Sequence, residues 1–384
     1  MTYNFDTVID RRHTHSLKWN VAEGELPMWV ADMDFQTAPE IQAALQRRVQ
    51  HGVFGYSEVG GDWYDAYIRW WSSRHGYTMQ KNWLMFCTGI VPAISSIVRK
   101  LTTPAEKVVV QSPVYNIFYN SILNNGAQVV ENRLLYRNGT YSMDFDDLEL
   151  RLADPQTTLM ILCNPHNPVG RIWTREELAR VGELCRRDHV TVIADEIHCD
   201  LTDPGVEYAS VSDTCRAVSI TCLAPTKSFN LAGIQTAAVS VPDPVLRHKV
   251  WRGLNTDEVA EPNAFATEAA IAAFNEGAPW LDALRAYLYQ NKRTVAEFIR
   301  RELPQLRLVP SEATYLLWID ATLVGFAGSL AEELRRCTGL YLSDGAHYGS
   351  GGESFLRMNI ACPRSVLMEG LDRLKHGIQE LAAR

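Results

Sequence analysis

The chain has 384 residues, 46% of them apolar and 21% charged, and a net charge of −8. Those values fit a soluble globular protein with room for a sizeable core and two subdomains, and the negative balance argues against non-specific nucleic-acid binding. No run of eighteen or more apolar residues occurs, so no membrane span is expected.

The start, Met1-Thr2-Tyr3-Asn4-Phe5-Asp6, has neither a basic head nor an apolar stretch, so no signal peptide is expected. The cysteines (Cys87, Cys163, Cys185, Cys199, Cys215, Cys222, Cys337 and Cys362) form no C-x-x-C pair. Several lie in apolar runs, where a small buried hydrophobe is the simplest reading. A reducing, cytoplasmic setting without a disulfide framework follows.

Strand-like runs then recur in chain order: Lys107 to Gln111, Gln128 to Glu131, Thr158 to Cys163, Val190 to Asp195, Val218 to Cys222 and Thr236 to Val241. They are short, rich in β-branched residues and nearly continuous in apolar character, as strands buried on both faces are. Between two of them, Thr174-Arg175-Glu176-Glu177 carries a capping-box pattern that predicts a helix to about Asp188. This alternation predicts an α/β fold with a mostly parallel sheet. After about residue 279 the pattern changes. A long amphipathic helix (Pro279 to Leu303) precedes strand-like Tyr315 to Ile319, a helix from Ser329 to Cys337, strand-like Phe355 to Asn359 and a final helix near 364–383. The expected organisation is an N-terminal segment (1–45) joining a small α+β domain at 279–384, with a large domain at 46–278 between them.

One stretch stands out chemically. The apolar run Ala217 to Leu223 leads into Ala224-Pro225-Thr226-Lys227-Ser228-Phe229-Asn230, and a lysine at the lip of a buried strand is an odd choice for packing. It makes sense if the amine must be partly desolvated and reactive, as a Schiff-base lysine is. A second strand ends in Asp195-Glu196-Ile197-His198. A buried lysine and a buried aspartate at two strand ends are what pyridoxal phosphate (PLP) chemistry needs: an amine for the aldehyde, and a carboxylate that keeps the ring nitrogen protonated. Thr88-Gly89-Ile90-Val91-Pro92 offers a glycine turn into a helix, a candidate phosphate cradle. Asn164-Pro165-His166-Asn167-Pro168-Val169-Gly170 places Asn167 beyond a strand's carboxyl end, where ligands bind in open α/β sheets. Each has a bland alternative: a snorkelling lysine, a strand-end cap, an ordinary Asn-Pro turn. Asp195, Glu196, His198 and Asp200 also invite a metal-ligand reading, which the absence of a second cluster with fitting spacing disfavours, and no metal is expected.

These residues together resemble the fold-type I PLP enzymes of the aminotransferase superfamily. Leu26 to Phe35, His51 to Tyr56, Ser112-Pro113-Val114-Tyr115, Asp195-Glu196-Ile197-His198, the lysine segment, Gly277 to Leu281 and Phe355 to Asn359 resemble more closely its cystathionine β-lyase/C–S lyase branch, of the MalY/PatB type. These motifs span about residues 5 to 380. The resemblance implies an aminotransferase-like PLP-binding domain with a mostly parallel seven-stranded sheet. It implies Lys227 as the imine lysine and Cα base, Asp195 on the pyridine nitrogen, and Asn167 and His198 at the phenolate oxygen. Tyr115 matches the aromatic stacked on the ring and Arg357 the arginine that grips the substrate carboxylate, with Asn167, Tyr56 and Tyr115 also against substrate. Tyr56 resembles a tyrosine that reaches the neighbouring subunit's site, which implies a homodimer with shared active sites.

Two positions depart from the wider superfamily. Ala224 stands where many relatives have Ser or Thr, and Gln235 where many have an arginine for the phosphate. The phosphate is then expected on the Gly89, Ile90 and Val91 amides, Thr226 and the neighbouring subunit's Tyr56. Pocket walls that choose the substrate are expected to include Trp29, Tyr56 and Tyr315. The implied activity is β-elimination from L-cystathionine or related cysteine S-conjugates, giving a thiol, pyruvate and ammonia. The alternative is amino-acid transamination, which uses the same residues. A PLP-binding regulator has no helix-turn-helix or basic extension to support it, and the intact Lys227, Asp195, Asn167 and Arg357 set argues against a dead fold.

Overall fold

The computed structural model describes residues 3–382. Its centre is a seven-stranded sheet. In chain order the strands are β1 (Leu84–Cys87), β2 (Lys107–Val110), β3 (Gln128–Glu131), β4 (Thr157–Cys163), β5 (Thr191–Asp195), β6 (Ser219–Leu223) and β7 (Ala237–Ser240). Their spatial order is β1-β7-β6-β5-β4-β2-β3. Only β7 runs against its neighbours. The other strands therefore point the same way, and their carboxyl ends share one edge. The chain reverses its winding direction between β2 and β4, the kind of crevice where such sheets bind ligands.

The six strand runs expected from the sequence lie within a residue or two of the observed ones. β1 completes the sheet; its short Leu-Met-Phe-Cys run is buried along its length and sits behind a 3-10 turn, so it carries no alternation to announce it. The helix after β4 spans Arg175–Arg187, and Thr174 and Glu177 form the capping box reciprocally. Helix Gly61–His75 buries Trp63, Tyr67, Trp70 and Trp71 in the main core, where truncating one such ring typically costs about 3–5 kcal/mol.

Beyond the long helix Ala278–Glu302 lies a four-stranded antiparallel sheet: β8 (Arg307–Leu308), β9 (Leu316–Asp320), β10 (Ser343–Asp344) and β11 (Phe355–Asn359), in the order β8-β9-β11-β10. Helix Leu330–Thr338 and the final helix Arg364–Ala382 accompany it. The N-terminal segment reaches this part of the chain: Leu26–Pro27 pairs in parallel with Leu340–Tyr341. No helix among the described residues is long and apolar enough to cross a membrane, and every cysteine is a free thiol.

Candidate active site

A cavity of about 260 Å³ sits at the carboxyl edge of the large sheet. Five strand ends feed it. Thr88 to Pro92 follow β1, Tyr115 follows β2, Asn167 follows β4, Asp195 closes β5, and Thr226 and Lys227 follow β6. Gln235, just before β7, and His198 complete the wall. Of the residues expected to hold the cofactor, Tyr56 alone stands apart from this cavity. It is fully exposed on the surface, beside a separate depression that shares Gln235 with the cavity.

Lys227 lies in a tight turn closed by the Phe229 and Leu231 amides on Pro225 and Thr226 carbonyls. Its Nζ donates to the Ala31 carbonyl at 2.6 Å, and Tyr315 Oη donates to the same oxygen at 3.0 Å. Burial and the nearby Arg357 guanidinium lower the amine to about 8, partly opposed by Asp32 and Asp195. Asp195 is buried with one oxygen on the Ile197 amide at 3.0 Å. Burial pushes its carboxyl up to about 6, against the Ile197 hydrogen bond and Lys227.

His198 is buried, with no hydrogen-bond partner for Nδ1. Burial, then Lys227 and Arg357, lower it to about 3, so it stands as a neutral imidazole. Tyr115 packs edge-on against Phe118 at 5.5 Å, and burial raises its phenol to about 12. Arg357, on β11, donates to Asn167 Oδ1 at 3.1 Å and to the Trp29 carbonyl at 2.8 Å, while its buried Nε has no partner.

Asp195, Glu196, His198 and Asp200 do not converge. Glu196 faces away and accepts from Ser210 Oγ and the Val211 amide, and burial raises it to about 7. Asp200 accepts from Trp70 Nε1 at 2.9 Å and pairs with His75 Nε2 at 2.8 Å. Cys199 brings a third ligand atom near that pair, but Asp200 already has three partners, Ser228 Oγ being the last.

The residues present fit pyridoxal phosphate. The free oxygen of Asp195 suits a protonated ring nitrogen. Lys227 supplies an amine. Asn167 and the unpartnered His198 Nδ1 offer polar atoms beside it. The helix Ile90–Leu101 presents first-turn amides that no intrahelical carbonyl can take. At the entry of that helix a Cβ on Gly89 would come within 3.2 Å of the Pro92 ring, a tight approach that the glycine avoids. Gln235 lines the wall, which contains no arginine, and Lys227 is its one lysine.

A second chamber of about 410 Å³ opens from the first, sharing Ala31, Tyr115 and Lys227 with it. Trp29 and Arg357 line it, as expected for Trp29. Tyr315 corrects its expected place: it is wholly buried behind Ala31 and lines neither chamber. Sequence reasoning missed Ala31, Asn230 and Asn359. Asn359 Nδ2 donates to the Val30 and Asp32 carbonyls, and Asn230 holds Met33 and Phe35. All three lie inside motifs already singled out. Their role is main-chain clamping across about 200 or more residues, for which side-chain type gives no signal.

The model of the family described as aminotransferase class I and II matches residues 26–374. Cystathionine beta-lyase PatB of Bacillus subtilis (strain 168) is 42% identical over 383 residues, covering 97% of this chain and 99% of the relative. Protein MalY of Escherichia coli (strain K12) is 33% identical over 98% of this chain and 99% of its own length. The crystal structure of cystalysin from Treponema denticola, which contains a pyridoxal 5′-phosphate cofactor, superposes with a TM-score of 0.96 at 30% identity. It covers 99% of this chain and 100% of the other.

Proposed function

Because this chain belongs to the class I and II aminotransferase family, we propose that it is a pyridoxal-phosphate-dependent carbon–sulfur β-lyase. Its substrate class is L-cystathionine and related cysteine S-conjugates, and its products are a thiol, pyruvate and ammonia. The observation that carries this reading is the end-to-end identity with a relative named as a cystathionine beta-lyase. The site residues are assigned from their placement around Lys227.

Arg357 receives the substrate α-carboxylate, since its guanidinium is buried, charged and short of one acceptor. Lys227 Nζ takes the proton from substrate Cα; burial, which lowers it towards about 8, keeps a useful fraction of the amine uncharged near neutral pH. Bound pyridoxal phosphate supplies an aldehyde that condenses with amines and a ring that takes up the electron pair left at Cα. Asp195 holds a proton on the ring nitrogen. A carboxylate buried beside a cation regains the charge that burial alone disfavours. Asn167 and His198 donate at the phenolate oxygen, His198 from its neutral form. Tyr115 covers the ring, and Gly89, Ile90, Val91 and Thr226 hold the phosphate. When the thiolate leaves Cβ, the remaining three-carbon fragment hydrolyses to pyruvate and ammonia.

We assign Tyr56 to the neighbouring subunit of a homodimer, where an exposed tyrosine beside the mouth shared through Gln235 completes the phosphate site. A cytoplasmic location accords with eight free thiols. The test is incubation of the PLP-loaded protein with L-cystathionine. Pyruvate and a free thiol in equal amounts are expected. The 2-oxo acid of the intact substrate as main product would instead make the enzyme a transaminase.

A further inference from the structure

Residues 29–33 present a row of backbone carbonyls, and side chains from distant elements take them in turn. Arg357 Nη2 and Ser343 Oγ donate to the Trp29 carbonyl. Asn359 Nδ2 donates to the carbonyls of Val30 and Asp32, on either side of Ala31. Arg11 and Asn230 hold that of Met33. The Ala31 carbonyl is thus fixed on both flanks, and Lys227 Nζ donates to it at 2.6 Å. Tyr315 Oη donates to the same oxygen at 3.0 Å.

The reaction as described leaves that hydroxyl unused. Tyr315 lies immediately before β9, is wholly buried and lines neither chamber, so it has no face towards a substrate. Its ring stands edge-on to His198 at 6.3 Å and 79°, and its carbonyl accepts from the Ile360 amide. Burial, then Asp32, raise its phenol against the pull of Arg357, so it remains a protonated donor while the site works. A carbonyl oxygen has two lone pairs and can serve both donors. Two donors nevertheless compete for one oxygen, and each bond is weaker than it would be alone. An ammonium donates more strongly than an amine, so a weakened acceptor disfavours the charged form of Lys227.

We propose that Tyr315 is a positioning residue for Lys227: its hydroxyl holds the Ala31 carbonyl in line with Nζ and, by sharing that oxygen, limits how strongly the carbonyl retains the protonated amine. The inference rests on the reading of Lys227 as the Cα base of a β-lyase and adds what keeps that base available. The other charged and titratable groups facing Nζ are Arg357 on β11, Asp32, Asp195 closing β5, and the neutral His198. Asp32 is itself paired with Arg11. All of these stay in place when the hydroxyl alone is removed.

Two measurements on wild type, Tyr315→Phe and Tyr315→Leu test this. The first uses the full chain without cofactor. Lys227 lines both chambers, so a small reagent reaches it. Its acetylation by trace acetic anhydride, scored by peptide mass spectrometry across pH, follows the uncharged amine. Without the hydroxyl the midpoint should rise by roughly half to one pH unit. An equal rise in Tyr315→Leu assigns it to the hydroxyl rather than to the ring against His198. The second is the pH dependence of kcat for pyruvate release from L-cystathionine by the PLP-loaded proteins. Its acid limb reports the base in the substrate complex and should move the same way, with KM changed by less than about twofold. A midpoint unchanged or lowered in both variants, with circular dichroism like that of wild type, overturns the positioning role. A raised labelling midpoint with no pyruvate from wild type upholds the coupling of Tyr315 to Lys227 and overturns the lyase reading.

Discussion

Asn167 Oδ1 accepts a hydrogen bond from Arg357 Nη1 at 3.1 Å, across 190 residues of sequence. The contact ties the turn after β4 to strand β11 of the other sheet, so the proposed cofactor and carboxylate sites share one hydrogen bond. Asn167→Ala removes an acceptor from a buried guanidinium. A bond to a charged group contributes about 1.5–3 kcal/mol, so KM for L-cystathionine should rise roughly ten- to hundredfold. Steady-state kinetics at saturating PLP check this; an unchanged KM would separate the two sites.

Lys227→Ala should abolish the visible absorption of the cofactor bound through that amine and slow β-elimination by about 10²–10⁴-fold, the usual span for loss of a positioned base. The Ala31 carbonyl loses one donor and keeps Tyr315 Oη, so the fold should survive. Absorption spectra and circular dichroism on the same sample distinguish loss of chemistry from loss of structure.

Asp195 makes a stability prediction for the protein without cofactor. Burial raises its carboxyl from near 4 to about 6. The folded state then binds this proton more tightly than the unfolded chain, so the group's contribution falls as pH rises between those values and stays unfavourable above about 6. Asp195→Asn should therefore stabilise the apoprotein at pH 7.5 by about 2–3 kcal/mol, with the advantage vanishing towards pH 4. Denaturant unfolding at both pH values tests it. The same variant should lose β-elimination, since it cannot hold the ring proton.

The exposed Tyr56 gives a test of shared sites. Lys227→Ala and Tyr56→Ala should each be nearly inactive alone. Mixed after unfolding and refolding together, they should recover up to about a quarter of wild-type activity, because half the dimers are hybrids with one intact site. No recovery, with dimers shown by light scattering, would place Tyr56 outside the neighbour's site.

Much of the site was legible because its chemistry needs rare placements. A lysine after an apolar strand and an aspartate closing another are costly as packing choices, so Lys227 and Asp195 stood out by residue type and context. The strands of the large sheet were legible for a related reason. Burial on both faces demands continuous apolar runs, and those survive in one dimension. Roles for Asn167, His198, Tyr115 and Arg357 came only through resemblance, since those residue types are common in turns and cores.

Tertiary structure alone decided the rest. That five strand ends meet at one edge depends on pairing order, which no local pattern encodes. The clamping of residues 29–35 by Lys227, Asn230, Tyr315, Arg357 and Asn359 uses backbone carbonyls and the Met33 amide, which every sequence supplies and none advertises. The second chamber exists because the N-terminal segment lies against Leu340–Tyr341. Sequence determined which groups can react; the folded arrangement decided which atoms they face, because only packing brings residues far apart in the chain within hydrogen-bonding reach.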